Sequence, residues 1–322
     1  MKTWIDTDAG LDDALAILMA LKYTEVVGIS CSYGNCSRDQ VVINVTRILS
    51  AHCAQYNTLP PKIYLGAEHS LSKIQKKPTI ISEKNEWHGY DGLGDVPNLE
   101  QHLNYKILDI KPSNNLVDDF VSLCQESNIT LISIGPLTLA NQLQKIAKFN
   151  LISMAGCFGV HQELQFKIPH LYDTGNMRCF GMPYTEHNVA CDPEAALVLN
   201  NQNGSLIADW GLTIRTGLTQ AMYQKLTKES KTITGKFYTE ISKQYQQTLS
   251  KFGYELFLIC DSLAVYLAID NAKYSGIRRN IEVSLNDDET YGQTTCQEQG
   301  NTLIVTQIDY NDLIQKITGI WM

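Results

Sequence analysis

The chain lacks any apolar run long enough for a membrane helix, any excess of positive charge and any paired cysteine motif. Each absence removes a class of protein. A transmembrane helix needs about 20 consecutive apolar residues, and the opening MKTWIDTDAGLDD reaches four acidic residues before anything resembling the apolar core of a signal peptide. The expectation is a cytoplasmic protein with no membrane partner. A formal net charge of −8 argues against the basic footprint of a nucleic-acid binder and points instead to a small-molecule substrate. Nine cysteines, an odd number at irregular spacing without a C-x-x-C pair, fit neither a zinc site nor a disulfide framework, so they read as reduced thiols.

What is present is the composition of a folded globular protein, and 322 residues suffice to bury a core without disulfides. Short apolar runs recur at residues 3–5, 26–30, 62–66, 129–135 and 151–156, and read as buried strands. Helical patterns follow Asp13 and occupy 41–52, 117–125 and 139–147. Strands alternating with helices predict an α/β fold, an open and mostly parallel central sheet covered by helices. The stretch 217–270 reads as helical without clear strands, and 277–309 as β-rich with turns at Asn286, Asp287 and Gly300. No linker, repeat or low-complexity tract divides the chain, so residues 1–322 are expected to form a single domain.

In such sheets, ligands bind beyond the carboxyl ends of the strands. There the strongest signal lies: Asp6, Asp8, Asp12 and Asp13 fall within eight residues between the first strand and a helix. Two anions about 4 Å apart at an effective dielectric of about 20 repel by roughly 4 kcal/mol, so convergent carboxylates must take up protons or a cation. Oxygen-only ligands suit calcium or magnesium, and a site of irregular geometry favours calcium. Gly10 is expected to supply the sharp turn that lets Asp8 and Asp13 face one point. The bland alternative, Asp12 and Asp13 as mere helix caps beside a solvated turn, serves any one of these residues but not all four after a buried strand. A haloacid-dehalogenase-type phosphatase also carries D-x-D after its first strand. The continuation Ala9-Gly10-Leu11-Asp12-Asp13 disfavours it.

The segment DTDAGLDDALAILMAL resembles the D-x-D-x-G-x-D-D-A-x-A motif of the inosine-uridine-preferring nucleoside hydrolase family. Further matches follow in the family's order: Ser32-Tyr33-Gly34-Asn35, Ile134-Gly135-Pro136-Leu137-Thr138, Met154-Ala155-Gly156, Gly175-Asn176, Glu186-His187-Asn188, Asp192-Pro193-Glu194-Ala195-Ala196, and Asp261 before an apolar helix. The resemblance implies a Rossmann-like nucleoside hydrolase fold and a Ca2+ held by Asp8, Asp13, the carbonyl of Ile134 and Asp261. It implies that Asp8 activates a metal-held water as general base. It also implies that Asp12, Asn35, Asn176, Glu186 and Asn188 bind the ribose hydroxyls of a ribonucleoside while Met154 packs nearby. Relatives are commonly dimers or tetramers, so a homo-oligomer is expected. Cleaving a nucleobase from ribose leaves an oxocarbenium-like sugar, which carboxylates and amide oxygens around the ring stabilise. By residue type alone, Asn35 and Asn176 beside glycines are ordinary turn residues, Met154 is core packing, and Asp192 before Pro193 is a helix cap, a role kept for Asp192.

The sequence departs from the family at the leaving-group end. Many members carry histidine where this chain has Cys260, and a thiol is a poor substitute for imidazolium. General acid catalysis typically contributes about 10²- to 10⁴-fold, so another group is expected to assist departure. Trp87, in the glycine-rich loop Glu86–Gly94, is the first candidate to stack on the base, with Tyr184 or a tyrosine between 238 and 254 on the other face; its alternative is a loop aromatic folded onto the core. His88 or His187 could donate the proton instead. These features give a purine lean. Residues 177–185 insert between Asn176 and Glu186, which weakens the match at Asn176 and offers Phe180 and Tyr184 as a lid or pocket wall. Two alternatives remain open: a ribonucleoside sensor that has lost catalysis, and a hydrolase of a modified nucleoside.

Overall fold

The structure, a computed structural model, describes residues 1–71, 87–161, 175–177, 182–201 and 203–322. Ten strands are described: β1 Lys2–Thr7, β2 Glu25–Cys31, β3 Ile63–Leu65, β4 Ile129–Ser133, β5 Asn150–Met154, β6 Ser205–Ala208, β7 Gly217–Thr219, β8 Leu256–Leu258, β9 Tyr274–Val283 and β10 Thr294–Ile308. Eight form one sheet in the order β3-β2-β1-β4-β5-β6-β10-β9. Every pairing is parallel except β10 with β9.

Consecutive residues along the strands face opposite sides, as the pleat requires. Ile5, Ile132 and Ile152 join one core with the helices Leu11–Tyr23, Arg38–Tyr56 and Cys260–Leu267, whereas Trp4, Leu131 and Leu151 join a second core with the helices Leu116–Glu126 and Thr138–Leu143. Burial on both faces explains why these strands read as continuous apolar runs. From β1 the chain winds outward through β2 and β3, then returns to the other flank of β1 through β4, β5 and β6. The winding reverses between β1 and β4, which places a crevice beyond their carboxyl ends, where doubly wound sheets bind ligands.

Three local expectations are corrected. Gly300 is no turn: it lies within β10, where the pairing with β9 shifts register between Gln297 and Thr302, and an added Cβ would come within 2.0 Å of the Arg279 backbone. The stretch 217–270 does hold strands, the short antiparallel pair β7 and β8, whose three-residue length leaves no alternation to read. The helix expected over 139–147 ends at Leu143. Among the described residues no helix is long and apolar enough to cross a membrane.

Candidate functional site

The turn after β1 carries the carboxylates, each held in a different way. Asp6, still in the strand, is fully buried and accepts from the hydroxyls of Ser30 and Ser32, both at 2.7 Å; it points toward β2 and stands apart from the others. Asp8 is also fully buried and accepts from the Asn35 backbone N–H at 2.7 Å and its Nδ2 at 3.1 Å. Asp13, in the first turn of the helix Leu11–Tyr23, reaches back to the Gly10 N–H at 2.8 Å and accepts from the Thr7 hydroxyl. The same hydroxyl accepts from the Ala9 N–H at 3.0 Å.

The left-handed residue of this turn is Ala9, at φ +46°, not Gly10, whose φ of −77° suits any residue. Gly10 is required for space instead. A Cβ there would come within 2.6 Å of Asn35 Nδ2 and 2.8 Å of His88 Nδ1. Asp8 is walled by backbone in the same manner: a Cβ on Gly34 would reach 2.0 Å from Asp8 Oδ2, and one on Gly135 would lie 3.0 Å from the Asp8 nitrogen. Gly34→Ala is therefore expected to displace Asp8 and abolish stabilisation by a divalent cation, measured as the loss of any cation-induced rise in the unfolding midpoint.

Neighbouring strand ends complete the crevice. The Ile134 segment follows β4 and Met154 ends β5; Asn188 Nδ2 donates to the Met154 carbonyl at 2.8 Å and approaches the Ile134 carbonyl at 3.4 Å. Glu186 caps the helix His187–Cys191, accepting from the N–H groups of Asn188 and Val189 at 2.8 and 3.2 Å, and from Gly156 N–H at 3.0 Å. Asp261 stands in the first turn of the helix Cys260–Leu267. The Asn176 nitrogen donates to the Thr185 carbonyl at 3.1 Å, while its Oδ1 is buried with no partner among the described residues. Asp192 accepts from the Ala195 N–H at 3.2 Å and from the Thr138 hydroxyl at 2.6 Å, the capping role its sequence suggests.

Oxygens of Asp12, Asp13 and Asp261 lie within 4.8 Å of one another, and the Asp13 carboxyl contacts those of Asp8 and Asp261. Burial, reinforced by the neighbouring carboxylates, pushes Asp13 up to about 7 and raises Asp8 and Asp261 well above the carboxylate range. Burial also lifts Glu186 to about 7 against three backbone hydrogen bonds that favour its charge. The donor set is all oxygen and anionic, which fits a hard divalent cation of irregular coordination. Asp12 enters the tightest grouping, whereas the sequence placed Asp8 there; Asp8 joins through Asp13.

Against the same turn, His88 Nδ1 accepts from the Leu11 N–H at 3.0 Å. The proton of the neutral ring therefore sits on Nε2. Asp12 Oδ1 lies 3.8 Å from Nδ1, and burial lowers the His88 pKa despite that carboxylate. Tyr245 stacks on the imidazole at 6.1 Å and 17°. Trp87 lies nearly parallel to Phe252 at 5.4 Å and edge-on to Tyr245 and Tyr254, and packs against the main core, as the alternative of a loop aromatic folded onto the core expects. The Cys260 thiol is buried near Asp12 and Asp261, and burial with these carboxylates raises its pKa and keeps it protonated. His187 is pushed down to about 4 by burial, and its two nitrogens face Asn188 Oδ1 and Cys191 Sγ on its own helix. Phe180 lies outside the described residues.

Sequence reasoning missed Thr7, Gly34 as a wall, and Tyr245 as the specific partner of His88. Thr7 carried a signal, a hydroxyl between two motif aspartates. Tyr245 carried none beyond membership in a tyrosine-rich stretch.

A buried, oxygen-lined crevice at the reversal of a doubly wound sheet defines an α/β protein built for a hard cation and a small polar ligand. The chain belongs to the inosine-uridine preferring nucleoside hydrolase family, whose model matches residues 3–315, and is accordingly a nucleoside hydrolase. It is 25% identical over 311 residues to the pyrimidine-specific ribonucleoside hydrolase RihB of Escherichia coli (strain SE11), covering 93% of this chain and 88% of that protein. Its fold is similar to that of a purine-preferring ribonucleoside hydrolase from Gardnerella vaginalis (TM-score 0.76, 22% identity, 99% of each chain). A plant nucleoside hydrolase is similar as well (TM-score 0.79, 21% identity, 99% of this chain and 98% of the other).

Proposed function

We propose that the chain hydrolyses the N-glycosidic bond of ribonucleosides to free base and ribose, with a lean toward purines and a calcium ion in the carboxylate cup. The observation that carries this reading is the convergence of buried, mutually repelling carboxylates beside Glu186, Asn188 and the Oδ1 of Asn176, which has no partner among the described residues. In this arrangement Asp8, Asp13, Asp261 and the Ile134 carbonyl hold the calcium. Bound there, the ion supplies a Lewis-acid charge that orients the ribose hydroxyls and makes water more acidic. Asp8 takes the proton of the attacking water. Asp12, Asn35, Asn176, Glu186 and Asn188 grip the ribose, with Met154 packed behind, and the carboxylates among them stabilise the oxocarbenium-like sugar.

At the base end, His88 offers Nε2–H as a neutral donor to the departing base. Cys260, buried beside Asp12 and held protonated, does not act as the missing acid. The aromatic cluster of Trp87, Tyr245 and Tyr254 favours the larger purine face. The relatives divide on this point, one being pyrimidine-specific and one purine-preferring by name, so the scaffold accommodates both.

The test is a nucleoside panel with a reducing-sugar readout, run with and without chelator. Inosine, guanosine or adenosine is expected to release ribose, with activity lost on chelation and restored by calcium. Uridine turning over faster than every purine nucleoside would reject the purine lean. A second reading, a ribonucleoside sensor, is favoured by Cys260 standing where histidine is usual; its signature is tight nucleoside binding at full calcium occupancy with no ribose released.

A further inference from the structure

Asn44, on the helix Arg38–Tyr56, is fully buried among apolar neighbours, yet its carboxamide joins three separate segments. Nδ2 donates to the carbonyl of Ala9 at 3.1 Å and to that of Asp91 at 2.7 Å, and lies 3.7 Å from Cys36 Sγ. Oδ1 accepts from Gln40 Nε2 at 3.0 Å, which fixes the orientation of the amide. Ala9 is the left-handed residue directly after Asp8, and Asp91 belongs to the loop that presents His88. The junction is close-packed: a Cβ on Gly92 would come within 2.8 Å of Cys36 Sγ, 2.9 Å of Asn44 Nδ2 and 3.3 Å of the Ala9 carbonyl. Three residues along the same helix face, Arg47 pairs with the Asp91 carboxylate at 3.1 Å and donates to the Val96 carbonyl at 2.7 Å.

We propose that Asn44 is a positioning residue for nucleoside hydrolysis: its carboxamide clamps the turn that bears Asp8 to the loop that bears His88, fixing the span between the carboxylate that activates water and the donor facing the base. The inference rests on the reading of His88 given above. A single planar amide satisfies two carbonyls from distant segments, a task no apolar side chain performs and one an aspartate in its place would oppose by repulsion. Arg47 steadies the far end of the same loop; the Cys36 thiol also reaches both segments, 3.8 Å from the Asp8 carbonyl and 3.9 Å from that of Asp91, but a thiol is a weak donor, and the short bonds to both carbonyls come from Asn44. Loss of the clamp lets the His88 loop drift, and a displacement of about 1 Å in catalytic geometry costs on the order of 10²-fold.

The test is a double-mutant cycle of Asn44→Ala and His88→Ala in the full chain with calcium, measuring kcat and KM with inosine. Asn44→Ala alone is expected to lower kcat by about 10- to 100-fold with KM changed less than about threefold. In the His88→Ala background it is expected to cost less than about threefold, because a residue acting through another has no effect once that residue is gone. Equal losses in both backgrounds, or wild-type kcat in a folded Asn44→Ala enzyme, overturn the inference while leaving the His88 reading intact. Wild-type kcat in His88→Ala overturns that reading and the inference with it. If Asn44→Ala does not fold, Asn44→Ser, which keeps one donor, takes its place in the same cycle with the same outcomes.

Discussion

An Asp8→Asn enzyme is expected to fold, to bind nucleoside within several-fold of wild type and to lose about 10³- to 10⁴-fold in kcat, the upper part of the range for a general base. The substitution preserves shape, which matters because Gly34 and Gly135 leave no room for a larger side chain beside this carboxylate. The retained amide oxygen can still accept the Asn35 N–H, the shorter of the two bonds Asp8 now receives. Basicity is lost outright, since an amide takes no proton from water. A second measurement separates loss of chemistry from loss of metal. With chelator, the variant should be at least as stable as wild type, because one member of a mutually repelling buried set has become neutral. With calcium, its gain in unfolding midpoint should be smaller than that of wild type. Retention of wild-type kcat would remove Asp8 from the mechanism.

Calcium should also change the pH dependence of stability. In the metal-free protein, Asp13 and Glu186 ionise near 7, against ordinary values of 3.8 and 4.5, chiefly because burial penalises the charge. Between those limits these two groups bind more protons in the folded state than in the unfolded state, so their contribution to the stability of the metal-free form falls as pH rises from about 4 to about 7. The calcium ion proposed above would replace those protons in the cup and reverse the penalty for Asp13 and its partners. At a hundredfold excess over its Kd the ion contributes about 2.7 kcal/mol. The gap in unfolding midpoint between calcium and chelator is therefore expected to widen from pH 5 to pH 8. Asp6, raised to about 7 by burial but outside the cup, keeps its own share of the slope in both forms. A gap that narrows with rising pH would mean that the cup is not where calcium binds.

The parts of this molecule legible in the sequence are those whose cause is local. The strand, turn and helix around Asp8 follow from apolar runs and an acidic cluster a few residues long, and the alternation of strands and helices follows from periodicity. Gly10 was legible as necessary but for the wrong reason, since its conformation is ordinary and the crowding comes from Asn35 and His88. Gly300 reads as a turn because composition cannot distinguish a turn from a bulge inside a long strand. Asn44 left no trace, because its two acceptors lie 35 and 47 residues away and a single asparagine on an apolar helix face has many uses. Likewise, nothing in the order of residues brings Tyr245 onto His88.

The glycine backbone around Asp8 has an evolutionary consequence. A wall made of main chain has no side chain to exchange: any substitution at Gly34 adds an atom where Asp8 already sits, and one at Gly135 crowds it at 3.0 Å. That end of the crevice resists drift, whereas the rim carrying Trp87 and Tyr245 is built of side chains and can be rewritten one codon at a time. New preferences for the base can thus arise by mutation at one end of the crevice while the other is inherited unchanged.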